Sequence, residues 1–280
     1  MKLCSIASGS SGNCIYIGTE KTSLLVDVGI SKKRIVEGLG QIGVCPSSIK
    51  GILITHEHSD HIKGLGVMSR QYKLPIFGTK ETIEEIKRIS SLGVIDEELF
   101  HEICPDKSFV LGDIEVSPFS SFHDARNPVC YTFSKGEHKV GIATDLGTYD
   151  DYIIKNLTGC EILLLEANHD VNMLQVGSYP YALKRRVLGD LGHLSNDMSG
   201  RLLTKLIHRG LKTIFLGHLS KENNYPELAY ETVKYELEKS GALEHFDYHL
   251  EIARRDEISP LVSTDYGYNL SGEVKAASSR

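Results

Sequence analysis

Apolar positions in the first third of the chain fall in short blocks rather than at helical spacing. "LCSIAS", "NCIYIG" and "SLLVDVG" (residues 3–8, 13–18 and 23–29) are apolar or β-branched runs divided by the turn-forming "GSSG" and "TEKT". Each run predicts a strand. "SKKRIVEGLGQIG" (31–43) then has helical spacing behind Ser31 as N-cap. "IKGILITH" (49–56) returns to strand, and "LGVMSRQY" (65–72) and "TKETIEEIKRIS" (79–90) predict helices, the second capped by Thr79. In the middle, "SFVLGD" (108–113), "IEVSPFSSFH" (114–123), "VCYTFSK" (129–135) and "HKVGIATD" (138–145) predict strands, and "EILLLEAN" (161–168) a buried one. "SNDMSGRLLTKLIHRG" (195–210) predicts a helix capped by Ser195 or Asn196. "KTIFLGH" (212–218) predicts a strand and "NYPELAYETVKYELEKSG" (224–241) a long helix.

Strand-rich blocks interleave with helices in both halves, with no repeat, no low-complexity linker and no evident boundary. This pattern predicts one layered α/β domain, two packed sheets with helices outside. It spans residues 1–262, and the small, polar residues 263–280 predict a flexible tail.

Composition narrows the class. Hydrophobic residues make up 41% and charged residues 24%, as in ordinary water-soluble domains. No apolar run approaches the ~18 residues of a membrane helix, and the start lacks the pattern of a signal peptide. Cys4, Cys14, Cys45, Cys104, Cys130 and Cys160 are scattered without a CxxC pair. That argues against a disulfide framework or a cysteine-ligated zinc and suits a reducing cytoplasm. The net charge of -6 argues against a coat for nucleic acid, but not against a nuclease, because bound cations reverse the sign of a site locally.

The densest chemistry is "THEHSDH", Thr55–His61. His56 and His58, two apart at a strand end, point to one side. Asp60 and His61 follow where the chain turns into a helix. Imidazole and carboxylate together suit Zn²⁺, Mn²⁺ or Fe²⁺. The spacing puts two groups on one ion and offers two more to a neighbour.

This stretch resembles the HxHxDH signature of the metallo-β-lactamase superfamily, and other family motifs follow in order. "LLVDVG" supplies Asp27, "SFHDA" His123, "GIATDLG" Asp145 and "IFLGHLS" His218. The resemblance implies a four-layer αββα sandwich with the site along one edge. It implies that His56, His58 and His123 hold one ion and that Asp60, His61 and His218 hold a second. Asp145 then bridges both, together with a water or hydroxide that acts as nucleophile. The cofactors implied are two divalent ions per chain, Zn²⁺ or Mn²⁺, with Fe²⁺ a third candidate. Asp27 would hydrogen-bond the histidine loop without touching metal, or else be a turn residue before Gly29. The diiron redox branch carries Glu where this chain has His58, so hydrolysis is expected.

"LLLEAN" followed by "GHLSN" resembles the phosphodiesterase branch of the superfamily, as in tRNase Z. Carried over, Glu166 orients His193, which donates a proton to the leaving alkoxide or stabilises phosphoryl oxygens. The catalytic set is then Asp60, Glu166 and His193. Alternatively His193 caps a helix or sits in solvent. His169 could line the rim, meet phosphate or simply pack. His101, His138, His208, His245 and His249 lie in charged surroundings and read as surface residues.

Between Glu166 and His193, "SYPYALKRRVLGD" carries two tyrosines, then Lys184, Arg185 and Arg186. They could stack on bases and meet phosphates, or form a solvated helix face. Ser10 in "ASGSSGNC" marks a glycine loop that could offer backbone N–H groups to a phosphate, or a plain hairpin turn. Taken together, these segments resemble the YycJ (WalJ) subfamily of bacterial metallo-β-lactamase-fold proteins. That resemblance implies a cytoplasmic two-metal phosphodiesterase acting on DNA from 5′ to 3′. No β-CASP cap fits between Asp145 and His218, 73 positions apart. "EAN" continues here into His169, where the subfamily often carries Tyr. Competing expectations are an acyl hydrolase of the same fold (β-lactamase or thioesterase) and a metal-bearing DNA-binding or regulatory protein without turnover.

Overall fold

The computed structural model describes residues 1–241 and 248–265. The chain builds two sheets one after the other, each antiparallel at first and parallel afterwards. In the first, β1 (Lys2–Ala7), β2 (Cys14–Gly18) and β3 (Ser23–Val26) form an antiparallel meander. β4 (Ile49–Leu53), β5 (Ile76–Thr79) and β6 (Phe100–Ile103) continue it in parallel. In the second, β7 (Phe109–Leu111), β8 (Ile114–Ser120), β9 (Val129–Lys135) and β10 (His138–Ala143) are antiparallel neighbours. β11 (Ile162–Glu166), β12 (Thr213–Gly217) and β13 (His249–Ile252) extend that sheet in parallel. A final strand, β14 (Val262–Ser263), returns to pair with β1, so each sheet has seven strands.

Parallel neighbours need crossovers, and helices supply them. α1 (Lys32–Gln41) joins β3 to β4; α2 (Ser59–Ile62) and α3 (Leu65–Tyr72) join β4 to β5; α4 (Lys80–Arg88) joins β5 to β6. In the second sheet α5 (Asp151–Leu157) follows β10, and α6 (Val171–Val176), α7 (Tyr181–Leu188) and α8 (Asn196–Leu206) lie between β11 and β12. α9 (Pro226–Lys239) precedes β13. One apolar core, with Ile17, Leu24, Tyr131 and Phe133, lies between the sheets. A second joins the first sheet to α1 and α3 through Leu25, Ile35, Leu39 and Met68. A third joins the other sheet to α5, α8 and α9 through Leu165, Ile153, Leu203 and Val233. This is the expected αββα sandwich. β11 and β12 are buried at every residue, as strands covered on both faces must be.

Local signals hold where they were strong. Ser31 accepts from the Arg34 amide, Thr79 from Thr82, and Ser195, not Asn196, from Met198. β5, β6, β13 and β14 are too short, at four residues or fewer, to show alternation. Described contacts continue just past the expected domain end at 262. Ser263 pairs with Lys2, and buried Thr264 donates its amide to the Met1 carbonyl at 2.8 Å. The packing therefore takes in Ser263 and Thr264. Residues 266–280, most of the expected tail, and His245 lie outside the described residues.

The two sheets bring their strand ends together along one edge. Here the end of β3 is laced to the histidine stretch: Val28 donates to the His61 carbonyl at 2.8 Å, and Asn13 to that of Asp60 at 2.8 Å. Gly29 sits so close that a Cβ on it would lie 1.6 Å from the Asp60 carbonyl oxygen. Gly29→Ala is therefore expected to push the histidine stretch off β3 and lower stability by roughly 1–3 kcal/mol or more, the range for overpacking. Thermal unfolding measures it, and an unchanged midpoint would show that the loop yields freely.

Candidate metal centre

Each element around the centre ends in a turn that aims one polar side chain inward. Asp27 after β3, Asp145 after β10 and His218 after β12 all take left-handed backbone conformations, with φ of 56°, 59° and 56°. Such strain persists where the surroundings over-determine it, commonly at functional sites. All three lie at carboxyl ends of strands, where open α/β sheets place their ligands.

Two ligand sets result. In the first, His58 Nδ1 lies 3.0 Å from His56 Nε2 and 3.2 Å from His123 Nε2. The far nitrogens are spoken for: His56 Nδ1 is 3.0 Å from Thr55 Oγ1, and His123 Nδ1 donates to the Gly192 carbonyl at 3.0 Å. In the second set, Asp60 Oδ2 lies 3.4 Å from His61 Nε2 and 3.3 Å from His218 Nε2. Asp145 sits between them, 3.3 Å from His61 Nε2 through one oxygen and 3.6 Å from His123 Nε2 through the other. Ligand atoms within each set, and within the linking trio of His56, His61 and Asp145, lie within 4.8 Å of one another. The Asp145 Oδ2 atom is buried without a hydrogen-bond partner. An orphaned carboxylate oxygen facing converging imidazoles suits a divalent cation, and the residues present fit one.

Asp27 lies behind the histidine stretch, against Thr55 and His61. Its carboxylate accepts from the Thr55 amide at 2.9 Å and the Thr55 hydroxyl at 2.8 Å, and lies 2.7 Å from His61 Nδ1. With Nδ1 so engaged, His61 Nε2 lies 3.4 Å from Asp60 Oδ2 and 3.3 Å from Asp145 Oδ2, an arrangement in which an outer carboxylate can orient a ligand imidazole.

Glu166 does more than its sequence context disclosed. It is fully buried. Oε2 accepts from the amides of Leu146 at 2.8 Å and Leu194 at 3.1 Å. Oε1 lies 2.8 Å from His193 Nδ1 and 2.7 Å from His218 Nδ1. One carboxylate thus aims the expected proton donor and a metal ligand together. The signal for His218 lay in the sheet register, which pairs Glu166 with Gly217. Glu166, His193, His218 and Asp145 also cluster within ligand range, but the Glu166 oxygens are taken by four donors. His193 lines the cavity, and Ser195 rather than His193 caps α8.

Burial penalises charge throughout the centre, yet opposite charges prevail. Against that penalty, His193 and His218 hold the Glu166 carboxyl below its ordinary range. His218 and His61 do the same for Asp145, and His61 and His218 for Asp60. His218 itself is pushed up to about 10, as Asp145, Asp60 and Glu166 outweigh its burial. His56 is driven down by burial and by the neighbouring imidazoles of His61 and His123. Protons on His218 therefore occupy a place that a cation would take.

A cavity of about 320 Å³ opens over the second ligand set, lined among others by Ser10, His193, Tyr179 and Arg186. The structure divides the expected phosphate contacts. Arg186 reaches the cavity wall, where its guanidinium forms a fork with Asp124, Nη2 donating to Oδ1 at 2.8 Å and Nε to Oδ2. Lys184 turns away to the Gln175 carbonyl at 2.8 Å, and exposed Arg185 does not line the cavity. Ser10 lines the cavity, and three amides of the glycine loop already have partners. The amide of Gly9 donates to Asn13 Oδ1, that of Ser10 to the Leu219 carbonyl and that of Gly12 to the Gly9 carbonyl. Asn13, Asp124, Asn168 and Asn223 are site neighbours that sequence reasoning missed. His169 is buried outside the cavity lining, its ring nitrogens without hydrogen-bond partners and its basicity lowered to about 4 by burial. It packs. His101, His138, His208 and His249 lie away from the centre, on Phe77, Glu161, the Cys160 carbonyl and Glu251.

Comparison with known proteins agrees with this geometry. The profile of the beta-lactamase superfamily domain matches residues 24–214. Exodeoxyribonuclease WalJ of Streptococcus pneumoniae serotype 2 is 39% identical over 256 residues, covering 91% of this chain and 95% of that protein. Exodeoxyribonuclease YycJ of Bacillus anthracis is 39% identical over 236 residues, covering 84% and 89%. Among solved structures, the metallo-beta-lactamase fold protein YhfI from Bacillus subtilis superposes with a TM-score of 0.66 at 18% identity. That match covers 92% of this chain and 99% of the other, and it bears on the fold.

Asp27→Asn removes the charge behind His61 while keeping the shape. Metal affinity is expected to fall roughly 10–100-fold, as when an outer hydrogen-bond partner is lost. Competition with a chromophoric chelator measures it, and unchanged affinity would reduce Asp27 to a turn residue.

Proposed function

The chain belongs to the metallo-β-lactamase superfamily, and from that membership we propose that it is a two-metal exonuclease degrading DNA from 5′ ends. The enzyme is a metal-dependent hydrolase of the exodeoxyribonuclease class. The observation that carries the finer reading is Glu166 Oε1 against Nδ1 of both His218 and His193. It fixes an imidazole at the cavity beside the ligand sets, where a departing alkoxide needs a proton.

In this reading His56, His58 and His123 would hold one ion and Asp60, His61 and His218 the other, with Asp145 shared between the two sets. Divalent ions there, Zn²⁺ or Mn²⁺ with Fe²⁺ a third candidate, supply positive charge to the phosphoryl oxygens and activate water. Around them the chain's own groups bind and move protons. Glu166 aims His193, and His193 hands a proton to the leaving oxygen. Arg186 exchanges part of its contact with Asp124 for a phosphate oxygen, a geometry its fork favours. Ser10 lies across the cavity from it. Lys184 and Arg185 act only from outside the cavity, drawing a polyanion toward a chain of net charge -6. A cytoplasmic location fits the unpaired cysteines. No described helix is long and apolar enough to cross a membrane.

End-labelled duplex and single-stranded DNA test the polarity. Nucleotides are expected to leave from 5′ ends, faster with a 5′-phosphate. Release from 3′ ends, or nicking of closed circles, would overturn the direction while leaving the hydrolase standing.

His193→Ala separates chemistry from metal binding. Elemental analysis is expected to find two ions in both variant and parent. The rate constant kcat on DNA should fall roughly 10²–10⁴-fold, the worth of a general acid. The defect should shrink on bis(p-nitrophenyl) phosphate, whose leaving group hardly needs a proton. Loss of metal, or equal damage on both substrates, would remove the proton-donor role.

A further inference from the structure

A second cavity, of about 380 Å³, lies against the first. Ser220 lines both; Ser8 lines the second and Ser10 the first. Only the loop 8–11 and the turn after β12 separate this groove from the metal centre. The two are tied together by the Ser10 amide on the Leu219 carbonyl at 3.4 Å, and by Arg255, which donates to Ser11 Oγ and the Leu219 carbonyl, both at 2.7 Å.

The groove has the chemistry of a strand-binding surface. Lys221, Arg254 and Arg255 line it with two acids, Asp256 and Glu257. Asp256 is engaged from outside by Arg34 at 3.4 Å. Glu257 stands 3.8 Å from Arg254 with both side chains mostly exposed, a loose pair that a stronger anion displaces readily. Tyr225 lines the same groove and is 48% exposed. An exposed ring beside cations on a continuous groove is the combination that holds single strands, the ring stacking on a base and the cations meeting phosphates. Arg255 has a further role that binding alone would not need, since it braces the loop carrying Ser10.

We propose that this groove is a second nucleic-acid subsite, which holds the single strand leaving the metal centre with a base on Tyr225 and a phosphate between Lys221 and Arg254. The proposal rests on the nuclease reading. It makes substrate length a determinant of turnover: a strand long enough to cross the Leu219–Ser220 turn gains contacts that a small phosphodiester cannot reach.

The test compares the full-length, metal-loaded parent with Lys221→Ala/Arg254→Ala, Tyr225→Ala and Tyr225→Phe, on a single-stranded oligonucleotide and on bis(p-nitrophenyl) phosphate. On the oligonucleotide, kcat/KM is expected to fall roughly tenfold or more for Tyr225→Ala, as for one lost base stack, and Tyr225→Phe should restore it. The double variant should lower the salt dependence of kcat/KM by roughly 0.7 per lost phosphate contact. Turnover of bis(p-nitrophenyl) phosphate should stay at the parental value. Equal turnover of the oligonucleotide by parent and variants, or equal losses on both substrates, would overturn the subsite. A parent that cleaves the small diester but no DNA would instead overturn the nuclease reading, and the groove with it.

Discussion

The centre depends on one buried carboxylate. Glu166 is charged and fully buried, a costly state unless each lone pair is met. Here two amides and two imidazoles meet them. The amides come from the turn after β10 and the segment before α8, the imidazoles from that segment and the end of β12. One oxygen pair therefore fixes three separate stretches of chain relative to β11. Hydrogen bonds to a charged group contribute about 1.5–3 kcal/mol each, enough to hold His218 in a left-handed conformation that it would not choose alone. Asp27 repeats the arrangement in the first sheet, binding Thr55 and aiming His61. Each sheet thus offers a strained strand end, steadied by a buried carboxylate.

Much of this was legible where the information is local. "VCYTFSK" and "LGVMSRQY" coincide with β9 and α3 residue for residue, because apolar period and flanking turns agree there. The ligands His56, His58, Asp60 and His61 sit within one turn of chain, so their shared purpose shows in the letters. The Glu166–His218 contact is different. It depends on which strands neighbour each other and in what register, and no single window of sequence holds that. The family resemblance supplied His123, Asp145 and His218 for the same reason: they meet only in three dimensions.

The basic run 184–186 shows the opposite failure. Composition treats three consecutive cations as one patch, but successive helical residues point roughly 100° apart. Of the three cations on α7 only Arg186 lines the cavity, while Lys184 folds back on Gln175. The glycine loop misled in a similar way. Its glycines do allow close approach, but the amides are spent on Asn13, Leu219 and Gly9, partners no local pattern discloses.

Both ligand sets draw on both sheets. His56 and His58 follow β4 while His123 follows β8; Asp60 and His61 lie at α2 while His218 follows β12. A cation held by either set is therefore also a cross-link between the two halves of the sandwich. Its affinity adds to folding by mass action, because the unfolded chain cannot present these nitrogens and oxygens together. Chelators then act on architecture as well as on chemistry, loosening the edge along which the two sheets meet.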